Sequence, residues 1–211
     1  MLYILIRICP RDDYIGRLAY ESLKMYYPDA TYGFLAERGD YKYITEKVYW
    51  REKCDNFGGQ HGAKVLLQSM RDTHLNPKDS DVIFLVDSDI VMFTHLGDGI
   101  YDVDHGGVYG IGRWGLGHVS GQFQILSGRF FNFLTSMEHL DFCRHIDEML
   151  LKGIDIADDT VFSYISDKHG MRKRHIHGWV HYKFFEYNGR VDYNSVVQEI
   201  SNRFNTTDFL L

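Results

Sequence analysis

The residues most able to do chemistry are aspartates and histidines in three short stretches. The first is Asp87-Ser88-Asp89, which closes the run DVIFLVDSDIVMF from Asp81 to Phe93. Val82 to Val86 is apolar and rich in β-branched and aromatic residues, which suits a central strand buried on both faces. Unpaired carboxylates cannot lie inside such a strand, so Asp87 and Asp89 belong where it ends and the sheet opens. Residues two apart in an extended chain point the same way, and paired oxygen ligands suit one hard divalent cation, Mn²⁺ or Mg²⁺. The bland alternative is two loop aspartates capping a turn; the apolar runs on both sides weigh against it. The second stretch is Asp158-Asp159, at the start of a helix through Val161, Phe162, Tyr164 and Ile165. A helix N-terminus welcomes negative charge, so capping competes there with catalysis. The third is MRKRHIHGWVHYK, from Met171 to Lys183, a basic strand or hairpin. It offers His175, His177 or His181 as a further metal ligand, and Arg172, Arg174 or Lys183 as positive charge against phosphates.

Elements that would position these residues follow from hydrophobic periodicity. Leu2 to Ile8 reads as a strand stopped by Pro10. Asp12 or Asp13 caps a helix with an Ile15, Leu18, Ala19, Leu23 stripe. Thr31 to Glu37 is a second strand. Residues 38–60 are weakly patterned, and His61 to His74 is a helix before the Asp81 strand. Strand–helix–strand openings build parallel sheets with right-handed crossovers, and ligands bind at the C-terminal edge of such sheets. A nucleotide is therefore expected over Ile8, Cys9 and Pro10, with Glu37 accepting hydrogen bonds from a base or ribose. Residues 94–118 hold eight glycines and read as an extended loop, a lid or a plain connection, with a short strand at Gly107 to Ile111. Ser120 to Ser127 is a strand, Gly128 to Met137 and Leu140 to Lys152 are helices, and Tyr193 to Leu211 reads as a terminal helix and tail.

Composition narrows the function classes. A chain of 211 residues fits one domain, 1–211, with a proper core. A net charge of −6 leaves general nucleic-acid binding unsupported. Three cysteines without paired spacing argue against a disulfide framework or zinc site and favour a reducing, cytoplasmic compartment. The N-terminal run is too short for a membrane anchor and reads as a strand, and no stretch is long enough to span a bilayer.

The order of these features resembles a GT-A glycosyltransferase: an N-terminal β-α-β, Asp81-x-x-x-x-x-Asp87-x-Asp89, the Gly-bearing strand VSGQFQILS, an acid pair leading a helix, then a His-rich strand. The resemblance covers residues 1–185. More narrowly, the chain is similar to the N-terminal glycosyltransferase domain of a large chlorella-virus glycosylation protein, which would place it in a host cytoplasm. It implies an α/β fold with a mixed, mostly parallel sheet flanked by helices. It also implies Mn²⁺ or Mg²⁺ on Asp87 and Asp89, a UDP-sugar donor carrying a hexose or deoxyhexose, and a glycan acceptor. Ser88 would contact the ribose, Gly121 and Gln122 would face the donor sugar, and Asp158 or Asp159 would lie near the transferred sugar and acceptor. Asp158-Asp159 matches neither the lone base of inverting members nor the Asp-Gln of retaining ones; the retaining assignment is preferred. His175 stands three residues before Gly178 as in one retaining subgroup, but without that subgroup's Lys-Pro-Trp, so His177 and His181 stay open. Two other classes compete. One is a nucleotide-sugar-binding domain without turnover. The other is a phosphatase of the haloacid-dehalogenase type, which would put its motif on the first strand and a Thr where Val91 stands.

Overall fold

In the computed structural model, the described residues are 1–52, 59–92, 95–111, 117–176 and 181–183. The chain runs β1 (Leu2–Ile8), α1 (Asp13–Tyr26), β2 (Thr31–Glu37), β3 (Val48–Arg51), α2 (Gly59–Asp72), β4 (Val82–Asp87) and β5 (Ile90–Met92). It continues with β6 (His105–Ile111), β7 (Gly117–Ser127), α3 (Gly128–Ser136), α4 (His139–Leu151), α5 (Asp158–Lys168), β8 (Lys173–His175) and β9 (His181–Lys183). Seven strands form one sheet in the order β3-β2-β1-β4-β7-β6-β8, while β5 and β9 make a separate antiparallel pair. In the large sheet β7 runs against both of its neighbours, and every other pairing is parallel.

Side-chain alternation divides the core between the two sheet faces. Ile4, Ile6 and Ile8 of β1 pack with Phe84 and Val86 of β4, Phe34 of β2, and Tyr20 and Leu23 of α1. Leu5, Leu35, Ile83 and Leu85 face the other way, against Leu66 and Met70 of α2, Phe130 and Leu134 of α3, Phe142 and Met149 of α4, and Phe162 of α5. The sheet thus lies between α1 and a layer of four helices. Val82 to Val86 is buried on both faces, as the apolar run requires. The expected β-α-β opening and the strand before the aspartate motif are both present.

Three local expectations need correction. The Gly-rich stretch is not one extended loop: the short strand expected at Gly107 to Ile111 is present as β6, starting at His105, Asp98–Asp102 is a 3-10 turn, and β7 starts at Gly117. Gly107 reflects close packing of strands. Gly107 has φ +146, and a Cβ there would meet the Phe123 carbonyl oxygen at 2.6 Å; β6 shifts register against β7 at that point. The His-rich segment is not a hairpin, because β8 pairs with β6 and β9 pairs with β5. Residues 38–60 contain β3, a four-residue edge strand too short to leave a periodic signature. Asp12 sits at the N-cap of α1 but makes no capping bond; Asp13 instead accepts from the Lys42 and Tyr43 amides at 2.5 and 3.0 Å, fastening the loop after β2. Cys9 and Cys143 are free thiols. Among the described residues no helix is long and apolar enough to cross a membrane. The expected terminal helix, and His177, lie outside the described residues.

Candidate active site

The three parallel strands β2, β1 and β4 end together, at Glu37, Ile8 and Asp87. Asp87 is the cross-strand partner of Arg7, a residue the sequence reading passed over. Neighbours in register share a face, so Arg7 and Asp87 both point towards the helix layer, where α5 begins. There the Arg7 guanidinium does three things. Its Nη2 lies 2.6 Å from Asp87 Oδ1, its Nη1 donates to Asp158 Oδ2, and Nη2 also donates to the Gly121 carbonyl. The Arg7 side chain is only 3% exposed. Burial alone would lower its pKa, but Asp87 and Asp158 more than reverse that, so it stays protonated.

Asp158 and Asp159 open α5 as expected. Thr160 accepts from the Ala157 amide at 2.8 Å, half of a capping box that satisfies the N-cap amide. Asp159 accepts from the Gly121 amide at 3.1 Å and the Thr160 amide at 2.7 Å; His118 lies 3.5 Å away. Burial and the neighbouring Asp158 charge push the Asp159 carboxyl up, partly offset by these donors. Gly121 permits the approach: a Cβ there would sit 3.0 Å from Asp158 Oδ1 and 3.2 Å from Asp159 Cβ. Val119 donates to Ser163 at 2.9 Å, tying β7 to α5 one turn further on. Phe123 pairs with Val86, which brings half-buried Gln122 alongside the end of β4. The structure therefore gathers Asp87, Asp158, Asp159, Gly121 and Gln122 at one edge, and adds Arg7 and His118.

The nucleotide-side candidates occupy the adjoining strand ends. Ile8 offers its carbonyl to Arg51 at 3.3 Å, and Arg51 also pairs with Glu37 at 3.1 Å, both side chains being buried. Cys9 donates to Asp12 at 2.8 Å; burial and that carboxylate push its thiol up to about 11, so it remains a thiol. Pro10 begins the turn into α1, with Gly39 packed on its ring. Ser88 is buried and lies near Gly16 of α1, whose missing side chain makes room for Ile8. Asp81 lies at the opposite end of β4 and accepts from the Lys78 amide at 2.8 Å.

The histidine segment divides. His175 ends β8, three strands from β4, or about 14 Å at ordinary strand spacing, so it is not brought to Asp87. Arg172, just before β8, is tied to Asp104 at 3.4 Å, and Arg174 lies beside Gly99. β9 is placed differently: Lys183 pairs with Ile90 and His181 with Met92, directly after Asp89. Among the described residues no group of three or more His, Cys, Asp or Glu is close enough to hold a metal. The oxygen donors of Asp87 and Asp89 suit a hard divalent cation, and β9 pairs with β5 just after Asp89.

Carboxylates dominate the charge here. Among the described residues, Asp87, Asp158 and Asp159 stand around the guanidinium of Arg7, and Asp89 follows Asp87 two residues on. An anionic diphosphate would be repelled from such an edge unless a dication came with it.

No protein-family model and no curated protein matches the sequence. Solved structures do match in fold. The galactosyltransferase LgtC, crystallised with donor and acceptor sugar analogs, superposes with a TM-score of 0.52 at 8% identity, covering 82% of this chain and 72% of that one. The glycosyltransferase GlyE of Streptococcus pneumoniae gives 0.53 at 9% identity, covering 96% of this chain and half of that one. At these identities the likeness is one of fold: a mixed, mostly parallel sheet flanked by helices, of the GT-A nucleotide-sugar transferase type.

Proposed function

We propose that the protein is a metal-dependent glycosyltransferase that moves a hexose or deoxyhexose, of the glucose or rhamnose type, from a UDP-sugar to a glycan acceptor. The observation that carries this reading is the meeting of the strand-end Asp87 and the helix-start Asp158 at the C-terminal edge of a GT-A-type sheet. Ligands of α/β sheets bind at that edge. Asp87 and Asp89 would hold Mn²⁺ or Mg²⁺, which when bound neutralises a diphosphate leaving group. Ile8, Cys9 and Pro10 would form the floor under the nucleotide, with Ser88 near the ribose, Glu37 on the base side and Lys183 towards the phosphates. Gly121, having no side chain, lets the acid pair pack against its backbone on the strand that would face the donor sugar, and Gln122 would hydrogen-bond that sugar. The acid pair supports retention: Asp158 is already occupied by Arg7 and Asp159 by two amides, an arrangement better at orienting a sugar than at taking an acceptor proton.

A thermal-shift and calorimetry screen of nucleoside diphosphates, with and without Mn²⁺, tests the binding, since a ligand of the folded state raises its stability. UDP binding that needs Mn²⁺ is the expected result, followed by UDP release from a UDP-sugar. Manganese-dependent binding without turnover of any sugar donor would leave a binding domain, and no nucleotide binding at all would end the reading.

A further inference from the structure

Among the described residues, Arg7 is the strongly basic group that joins Asp87 and Asp158, and its position needs explaining. Alternation along β1 puts residue 7 on the face of Leu5, Leu35 and Leu85, where the pattern calls for an apolar side chain. A guanidinium there is costly to bury unless its donors are satisfied by charged partners. Those partners come from far along the chain: Asp158 is 151 residues away and Gly121 is 114. The side chain is 3% exposed, so a substrate cannot touch it. Whatever Arg7 does for the site, it does through the groups it holds.

The groups it holds are the ends of two functional segments. Asp87 is the first acid of the strand-end pair; Asp158 is the first acid of the helix-start pair. We infer that Arg7 is a positioning residue that couples the two ends, so that Asp87 and Asp158 act as one unit. The coupling is geometric. Asp87 cannot turn towards an incoming ligand without re-aiming the Arg7 fork, and the fork cannot re-aim without shifting Asp158 and the Gly121 carbonyl. A planar guanidinium can serve two carboxylates and a carbonyl at fixed angles, whereas an ammonium on a flexible stem is a point charge. The Arg-to-Lys difference is therefore the signature of the role.

This inference rests on the proposed function for its catalytic readout but not for its structural one. In the catalytic arm, Arg7→Lys keeps the charge and loses the fork. It should leave the affinity for Mn²⁺ plus UDP within about threefold, since Asp87 and Asp89 remain. It should lower kcat for UDP-sugar turnover by about thirtyfold or more, with the donor KM changed far less. Wild-type kcat in Arg7→Lys overturns the inference, because charge alone would then suffice. In the structural arm, Arg7→Met, Asp158→Asn and the double variant are unfolded in urea, with Arg7→Lys replacing Arg7→Met if the latter does not fold. Arg7→Met strands the buried Asp158, Asp158→Asn leaves Arg7 with Asp87 and the Gly121 carbonyl, and the double change removes both charges of the Arg7–Asp158 pair. The double variant should therefore be more stable than the two losses added together predict, by at least about tenfold in the folding constant. Strict additivity overturns the coupling whatever the protein turns over. If the wild type binds no nucleotide, only the proposed function falls, and the urea cycle still decides the role of Arg7.

Discussion

Replacing Gly121 by alanine should damage the site far more than the fold. The added Cβ would lie 3.0 Å from Asp158 Oδ1, 3.2 Å from Asp159 Cβ and 3.4 Å from Asp158 Oδ2. None of these is a hard collision, but each requires the acid pair to give way by a few tenths of an ångström. Overpacking of this kind costs about 1–3 kcal/mol. Gly121 is not among the positive-φ glycines, so alanine fits its backbone and restricts the unfolded chain, returning about 0.4–1 kcal/mol. The net loss is then at most about 2.5 kcal/mol, which in a chain of this size lowers Tm by up to about 10 °C and typically about half that. Activity responds more steeply. A misplacement of about 1 Å can cost about a hundredfold in rate, so about 0.3–0.5 Å at Asp158 and Asp159 should cost about fivefold to tenfold in kcat. The assay pairs melting curves with UDP-sugar hydrolysis and transfer, with Gly128→Ala as a contrast. There a Cβ would sit 1.8 Å from the Lys78 backbone carbonyl oxygen, at the far end of β4, so stability should collapse. A Gly121→Ala protein with kcat within twofold of wild type would refute the claim that this glycine spaces the acids.

The other expected outcomes are briefer. Asp87→Ala or Asp89→Ala should abolish Mn²⁺-dependent UDP binding by calorimetry; the Asp89 variant should keep its melting temperature, while the Asp87 variant should lose some, because it leaves Arg7 short of a buried partner. Burial holds His105 down at about 4, while the unfolded chain protonates it below about pH 6.5. Stability should therefore fall as pH drops from about 6.5 to 4, by on the order of 3 kcal/mol from this residue, and urea melts of His105→Gln should show a flatter pH dependence across that window. Asp104 acts below it: burial opposes its ionisation, but the Arg172 and Ser127 hydrogen bonds win and hold its carboxyl below the usual range, so its contribution is lost only as pH falls further. Arg51→Met strands the buried Glu37 carboxylate and should cost about 3–5 kcal/mol in urea, whereas an unchanged midpoint would show that the pair is dispensable.

Much of the scaffold was legible because it obeys simple periods. An uninterrupted apolar run gave β4 and its two buried faces, and the 3.6-residue stripes gave α1 to α5. What escaped was controlled by contacts between distant segments. β6 was legible only from Gly107 to Ile111, and the place of Gly107 answers to the Phe123 carbonyl on the neighbouring strand, a partner that no local window contains. The His-rich segment looked like one unit, yet its two strands pair with β6 and β5, a division set by the topology of the sheet. Arg7 is the sharpest case. In LYILIRI it is a single charged residue near a strand end, which sequence alone reads as a solvated terminus. The signal was its parity: counted in steps of two from Leu5, it faces inwards. A buried arginine on an inward face demands carboxylates close by, and Asp87-Ser88-Asp89 and Asp158-Asp159 were among the acids already assigned to strand or helix ends. That demand narrows Arg7's partners to the acids at element ends, because a charge that cannot reach water must be met by groups that the fold brings to it; that they are Asp87 and Asp158 is set by the packing of α5 on the sheet.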